Sequence, residues 1–205
     1  MNAVVLMLGT VAVGFFLAWQ GLLPELWVSN SERLIEYGLY ILLVGIGIDI
    51  GRNRETLKDL WHSRWSILYV PFGVIIGTFL GSLIVPFVFP LKWNEALAVA
   101  SGFGWYSLSG ILLTKLHGPE LGAVAFLSNV LREVFSIITI PFVARYCGTM
   151  TVVAPGGATT MDTTLPVIAK YTGKQDVVIV AFVNGVILSS LVPLLVPFFI
   201  SLGSG

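Results

Sequence analysis

Apolar runs long enough to cross a bilayer recur along this chain with only short polar breaks between them, a pattern no water-soluble core can absorb. A helix needs roughly 20 apolar residues to traverse the hydrocarbon layer, within a range of about 17–25. Seven segments come near that length: Ala3 to about Leu23, Leu34 to Ile50, Ser66 to Phe89, Ala96 to Thr114, Gly122 to Ala144, Thr151 to Ala169 and Val177 to Leu202. The fourth is crowded with glycine and serine, and the sixth is the least hydrophobic. Discontinuous or re-entrant helices are therefore expected near 100–110 and 155–165 rather than plain rods. Only 11% of the 205 residues are charged, less than half of the roughly 25% that wets a soluble domain. The expected fold is an all-α integral membrane protein, one transmembrane domain over residues 1–205, with most of its surface against lipid.

The net charge is zero, which gives no electrostatic reason to expect a nucleic-acid partner. Cys147 is the single cysteine, so no disulfide within the chain and no multi-cysteine metal site is expected. His62 lies in a basic loop and His117 in a short turn; both read as solvated, and no metal is expected. There is no P-loop, no His-Glu-x-x-His and no Gly-x-Ser-x-Gly elbow, so neither ATP coupling nor intramembrane catalysis has visible machinery, and no cofactor is expected. Arg52, Arg54, Lys58 and Arg64 lie between the second and third segments, whereas Glu25, Glu32, Arg33 and Glu36 follow the first. By the bias of basic residues toward the cytoplasm, residues 52–65 belong inside and 24–33 outside. Seven crossings then put the N-terminus inside and the C-terminus outside a bacterial or archaeal cytoplasmic (inner) membrane. Lys115, Lys170 and Lys174 fall inside as well, and Arg145 dissents. Trp19, Trp27, Trp61, Trp65 and Trp93 sit near segment ends, where indoles anchor at the headgroup level.

Residues that break the apolar pattern carry the functional information. In Ser101-Gly102-Phe103-Gly104-Trp105-Tyr106-Ser107-Leu108-Ser109-Gly110, either the helix breaks and Gly102, Gly104, Tyr106 and Ser107 face a substrate, or small residues form a helix-packing face. On the fifth segment, Asn129, Arg132, Glu133 and Ser136 follow i, i+3, i+4, i+7 and share one face. A charge at the middle of a span costs at least about 2.5–3.5 kcal/mol, so Arg132 and Glu133 should face the bundle interior, either toward a ligand or as structural ion pairs. Adjacent positions diverge, so the two should not simply neutralise each other. In the sixth segment, Pro155 and Pro166 bracket Gly156, Gly157, Thr160, Asp162 and Thr163. Proline interrupts the helix, leaving half-helix ends to meet a substrate or coupling ion; the alternative is an external loop with Asp162 as a cap. Asp49 reads as a cap or interfacial residue at the cytoplasmic edge, and Asn184 as a hydrogen-bonder to another helix or to a ligand.

These same strings resemble the bacterial lysine exporters. The resemblance is carried by Ala100 to Leu113, reading Ala-Ser-Gly-Phe-Gly-Trp-Tyr-Ser-Leu-Ser-Gly-Ile-Leu-Leu, by Leu131-Arg132-Glu133, and by Gly157 to Pro166, reading Gly-Ala-Thr-Thr-Met-Asp-Thr-Thr-Leu-Pro. It implies export of L-lysine and close analogues, with the acid at Glu133 functionally important. It also implies additional N-terminal spans holding a second acid, with which this chain does not begin. A small separate membrane subunit, or a second copy of the chain, is the partner expected to supply them; Asp49 is not assigned that acid's role. Glu133 and Asp162 suit the two ammonium groups of lysine, and half-helix N-termini or Arg132 its carboxylate. Antiport against an ion is the expected coupling, a proton being suited to Glu133. A different amino acid, a metabolite anion using Arg132, or a non-transporting assembly subunit are the alternatives.

Overall fold

The computed structural model describes residues 3–24 and 68–203, with isolated positions between them at Trp27, Asn30, Arg33, Tyr37, Ile41, Val44 and Ile48. The expectations for Asp49, for most of the second segment, and for the basic loop with His62, Trp61 and Trp65 concern residues outside that set. The chain divides into two compact units, Met1–Gly45 and Ile46–Gly205. In the first, α1 (Ala3–Trp19) is apolar throughout, with Phe15 stacked obliquely on Trp19 at 6.2 Å between ring centres. Val13, Phe15, Phe16 and Trp19 are all exposed, as expected of a helix with lipid around it.

The second unit is all helical among its described residues. It contains α2 (Tyr69–Ser82), α3 (Val85–Val88), α4 (Trp93–Ala100), α5 (Tyr106–Leu116), α6 (Pro119–Tyr146), α7 (Leu165–Thr172) and α8 (Gln175–Ser201), with two 3-10 turns at Thr151–Val153 and Gly157–Met161. Three stretches among the described residues are long and apolar enough to cross a membrane: Tyr69–Val88, Pro119–Tyr146 and Asp176–Ser201. The last is the most enclosed, with 56% of its most apolar window buried against 17% for Tyr69–Val88. α6 is built inside out relative to a soluble helix. Its buried face holds Asn129, Glu133 and Ser136, while Leu127, Leu131, Phe135, Ile138 and Phe142 recur every three or four residues on the exposed face. That is a stripe for lipid and a stripe for protein.

The fourth and sixth apolar segments do not cross. At the mouth of the fourth, Glu95 near the start of α4 accepts from the Lys92 backbone N–H at 2.9 Å, and His117 just past α5 lies 3.2 Å from its other oxygen. A continuous rod would separate positions 95 and 117 by roughly 33 Å, so α4 enters, turns at residues 101–105, and α5 returns to the same side. His117, expected to be merely solvated, thus closes this hairpin. The sixth segment repeats the plan from the other side. Val152 and Val153, at its start, share an apolar cluster with Ile168 of α7, together with Ile140 of α6 and Val177, Val180 and Ala181 of α8. Both limbs of the first hairpin lie along the N-terminal half of α6, where Thr114 meets Gly122 and Gly110 meets Phe126. Both limbs of the second lie along its C-terminal half, where Ile140 sits. The proline- and glycine-rich sequences expected to interrupt helices mark the two tips.

Re-entry of the first hairpin is checked with Glu95→Cys/His117→Cys on a Cys147→Ser background. A short bifunctional thiol reagent should join the pair within one chain in near-complete yield, whereas a transmembrane rod over 96–114 would leave it unjoined.

Candidate functional site

The two tips meet beside the middle of α6. Glu133 stands 14 residues from Pro119 and 13 from Tyr146 in this 28-residue helix, about 20 Å from either end at 1.5 Å per residue. At the first tip, Phe103 adopts a left-handed conformation (φ 49°), followed by Gly104 at φ 100°. A non-glycine residue is strained there, and its surroundings hold it. The Phe103 side chain is fully buried, its ring 5.9 Å from that of Phe79 on α2. Its carbonyl accepts the Ala158 N–H of the second tip at 2.8 Å. Asn129 clamps the turn: its Oδ1 accepts the Gly104 N–H at 2.7 Å, and its amide nitrogen lies within donating distance of the Val99 carbonyl (3.1 Å), the Ser109 hydroxyl (3.3 Å) and the Ala125 carbonyl (2.9 Å). A Cβ on Gly102 would run into Asn129 and Ser109, so glycine is what lets the clamp close.

The second tip is held from two helices. The Pro155 carbonyl accepts from Ser136 Oγ at 2.7 Å and from Arg132 Nε at 3.4 Å, both on α6. From α8, the Asn184 amide donates to the Gly157 carbonyl at 3.0 Å and the Thr160 hydroxyl at 3.1 Å. Gly157 is left-handed (φ 60°), and a Cβ there would strike the Phe103 carbonyl. Both tips are therefore satisfied by protein groups, as irregular backbone at membrane depth requires.

Against this frame two charges stand out. Glu133 is 1% exposed, and neither carboxylate oxygen has a hydrogen-bond partner among the described residues. The polar groups that act on it are the Thr163 and Tyr106 hydroxyls, standing outside bonding geometry, and the Asp162 carboxylate. Asp162 is itself exposed and accepts from the backbone N–H and hydroxyl of Thr163. Arg132 points elsewhere. Besides Pro155 it donates to the Thr78 hydroxyl at 3.2 Å, and no carboxylate of the described residues lies within ion-pair distance of it. It lines a cavity of about 610 Å³ that is otherwise mostly apolar, among Val85, Phe89, Leu91 and Val99, with no acid among the described residues of its wall. Among the described residues no three of His, Cys, Asp and Glu gather as metal ligands would.

Comparison with known proteins fits this geometry. The family model described as lysine exporter LysO matches residues 8–200. The chain belongs to the lysine exporter LysO family. It is 42% identical over 191 residues to the Escherichia coli (strain K12) protein named lysine exporter LysO, an alignment covering 93% of this chain and 62% of that protein. It is 33% identical over 198 residues to a relative from Haemophilus influenzae, covering 95% of this chain and 97% of the relative. The chain thus spans under two thirds of the length of the E. coli relative. No solved structure matches.

The residues singled out from the sequence of this LysO family member divide by position. Glu133, Tyr106, Asp162 and Thr163 come together at the centre. Asn129, Gly102 and Gly104 build the first tip, where the hydrogen-bonding capacity of Asn129 is spent within the fold. Thr160 belongs to the clamp of the second tip, with its hydroxyl donating to Gly157 O at 2.8 Å. Arg132 serves the cavity on the other side of α6, and Ser107 is half-buried in the first turn of α5. Asp162, expected at a substrate-facing half-helix end or as a cap, follows the second 3-10 turn, where it is exposed and accepts from Thr163. Asn184 was left undecided by the sequence, although an amide in an otherwise apolar span is itself a signal.

Asn129→Leu should orphan the Gly104 N–H and a buried carbonyl at about 1–3 kcal/mol each. Thermal unfolding in detergent should fall by several degrees, with Asn129→Asp intermediate. An unchanged melting temperature for Asn129→Leu would show that the first tip does not depend on the clamp.

Proposed function

We propose that this chain exports L-lysine and close analogues across the cytoplasmic membrane by secondary transport; the E. coli relative is named a lysine exporter. The observation that carries the reading is the Glu133 carboxylate, buried, without a hydrogen bond of good geometry among the described residues, and beside the meeting point of two broken segments. A carboxylate in that position is expensive unless a cation or a proton joins it. Lysine offers two ammonium groups. Glu133, with Asp162 nearby, binds them, and Arg132 or the N-terminus of α5 at the first tip receives the carboxylate. Exchange follows from the same chemistry: a proton arriving on Glu133 removes the charge that holds the ammonium, so proton and lysine compete for one group and binding of one drives release of the other. A substrate that is an anion is the second reading, favoured by the acid-free cavity at Arg132.

The orientation we propose keeps the N-terminus inside and the C-terminus outside. Two re-entrant hairpins change no terminus, but they exchange the sides of Lys115 and Arg145. Arg145 then joins Lys170 and Lys174 with the inside loop 52–65, and Lys115 takes its place as the basic residue that falls outside against the bias. Arg145 and Lys170 lie over the rings of Tyr146 and Tyr171, at 5.4 and 5.7 Å, as interfacial side chains do.

Two experiments test the proposal. Cells lacking their own exporter and loaded with a lysine dipeptide should release lysine when this chain is expressed, alone or with the small membrane protein encoded beside it. Glu133→Gln should cut that efflux by at least about tenfold at unchanged membrane abundance; wild-type efflux would remove Glu133 from the mechanism, and competition by anions alone would favour the second reading. Single cysteines placed at Lys115 and Arg145 should react with an impermeant thiol reagent from outside and only after permeabilisation, respectively.

A further inference from the structure

Asn184 is fully buried on α8, and its amide can point only one way. Its nitrogen donates to the Gly157 carbonyl and the Thr160 hydroxyl. The carbonyl has no proton to give, and the Thr160 proton is already spent on the same carbonyl. A flipped amide would set its oxygen against two acceptors, so the oxygen must face the other way. There it meets no donor among the described residues. The helix cannot roll to relieve it, because Gly185 next to it is pressed on the Met161 nitrogen and the Ala158 carbonyl so closely that a Cβ would not fit. A buried acceptor without a donor costs about 1–3 kcal/mol.

The buried side-chain atoms left without partners among the described residues are the two oxygens of Glu133 and this one oxygen of Asn184. All three are acceptors. They flank one short strap: Asn184 holds Gly157 and Thr160, while Glu133 faces Thr163. A site whose unmet needs are all for donors selects a ligand that is all donor, and an ammonium group has three N–H donors and no acceptor. We propose that Asn184 Oδ1 accepts an N–H from an ammonium group of the transported substrate, making Asn184 a specificity-determining residue that separates a primary ammonium from a cation of equal charge without N–H. This rests on the reading of the chain as an exporter of lysine and names the part of the substrate that α8 recognises.

The test is counterflow of labelled L-lysine in proteoliposomes holding the full chain, with unlabelled lysine, ε-N-trimethyllysine or α-N-trimethyllysine as competitor. The wild type should prefer lysine over at least one trimethylated form by about tenfold or more, the worth of a hydrogen bond to a charged group. In Asn184→Ala that preference should shrink to within about threefold, through weaker competition by lysine and not stronger competition by the methylated form. Asn184→Ser, whose hydroxyl lacks the reach of the amide oxygen, should show the same loss of preference, and it carries the test if the alanine variant fails to insert. A folded Asn184→Ala or Asn184→Ser with the wild-type preference against both forms overturns the inference and leaves the export reading standing. No lysine counterflow by the wild type, with or without the small membrane protein encoded beside it, removes both.

Discussion

Every feature of the second unit answers to one constraint: a backbone that leaves the helical path where no water reaches must have each N–H and C=O met by protein. The tips of two hairpins meet that demand partly through each other, the Phe103 carbonyl accepting the Ala158 N–H. The remainder is met by side chains whose placement is otherwise costly in an apolar helix. Asn129 and Ser136 on α6 and Asn184 on α8 are polar because the tips need them. Close approach also explains the glycines at the contact. At Gly157 a side chain would enter the Phe103 carbonyl, and at Gly102 it would enter Asn129. The fold is therefore two asparagine-clamped turns against a pair of long helices, with α6 touching both.

Electrostatics follows from that architecture. Arg132 and Glu133 are neighbours in sequence, so they leave α6 about 100° apart, and they serve different spaces. Arg132 is held by neutral oxygens beside an apolar cavity. Glu133 looks toward Tyr106, Thr163 and Asp162. Had the two paired with each other, the helix would carry a structural ion pair and neither charge would be left for a ligand. Their divergence leaves neither with an ion pair among the described residues, an arrangement that is costly at membrane depth unless a ligand joins it. The outer stripe of Leu127, Leu131, Phe135, Ile138 and Phe142 shows that the same helix fully meets its obligation to lipid.

Much of this was legible in the chain. Segment lengths and the shortage of charge gave the membrane class, and the i, i+3, i+4, i+7 polar stripe gave the buried face of α6. Glycine and proline located both tips to within a few residues. The choice between a discontinuous span and re-entry stayed open, because residues 96–114 have the length of a span whether the chain crosses or turns back; the partner across the mouth, His117 against Glu95, distinguishes them. The partner of Asn184 was left undecided for a related reason. Its role depends on which acceptors lie opposite, and no period in α8 announces the Gly157 carbonyl. Asp162 kept two readings in the sequence, a substrate-facing half-helix end or a cap, and it follows a 3-10 turn beside Thr163.

The distribution of clamps also limits how such a site can open. α6 holds both tips, through Asn129 at the first and through Ser136 and Arg132 at the second, whereas the Asn184 amide holds the second tip alone. Moving either tip away from α6 would break hydrogen bonds that hydrocarbon cannot replace, each orphaned group costing about 1–3 kcal/mol. Keeping the tips on α6 and shifting the surrounding helices costs none of these bonds. The Glu133 carboxylate belongs to the part that stays, so access to it from the two sides of the membrane is set by what covers it rather than by its own displacement. Under the proposed exchange, a fixed charge with changeable cover is the arrangement by which one group would meet a proton from one side and a cation from the other.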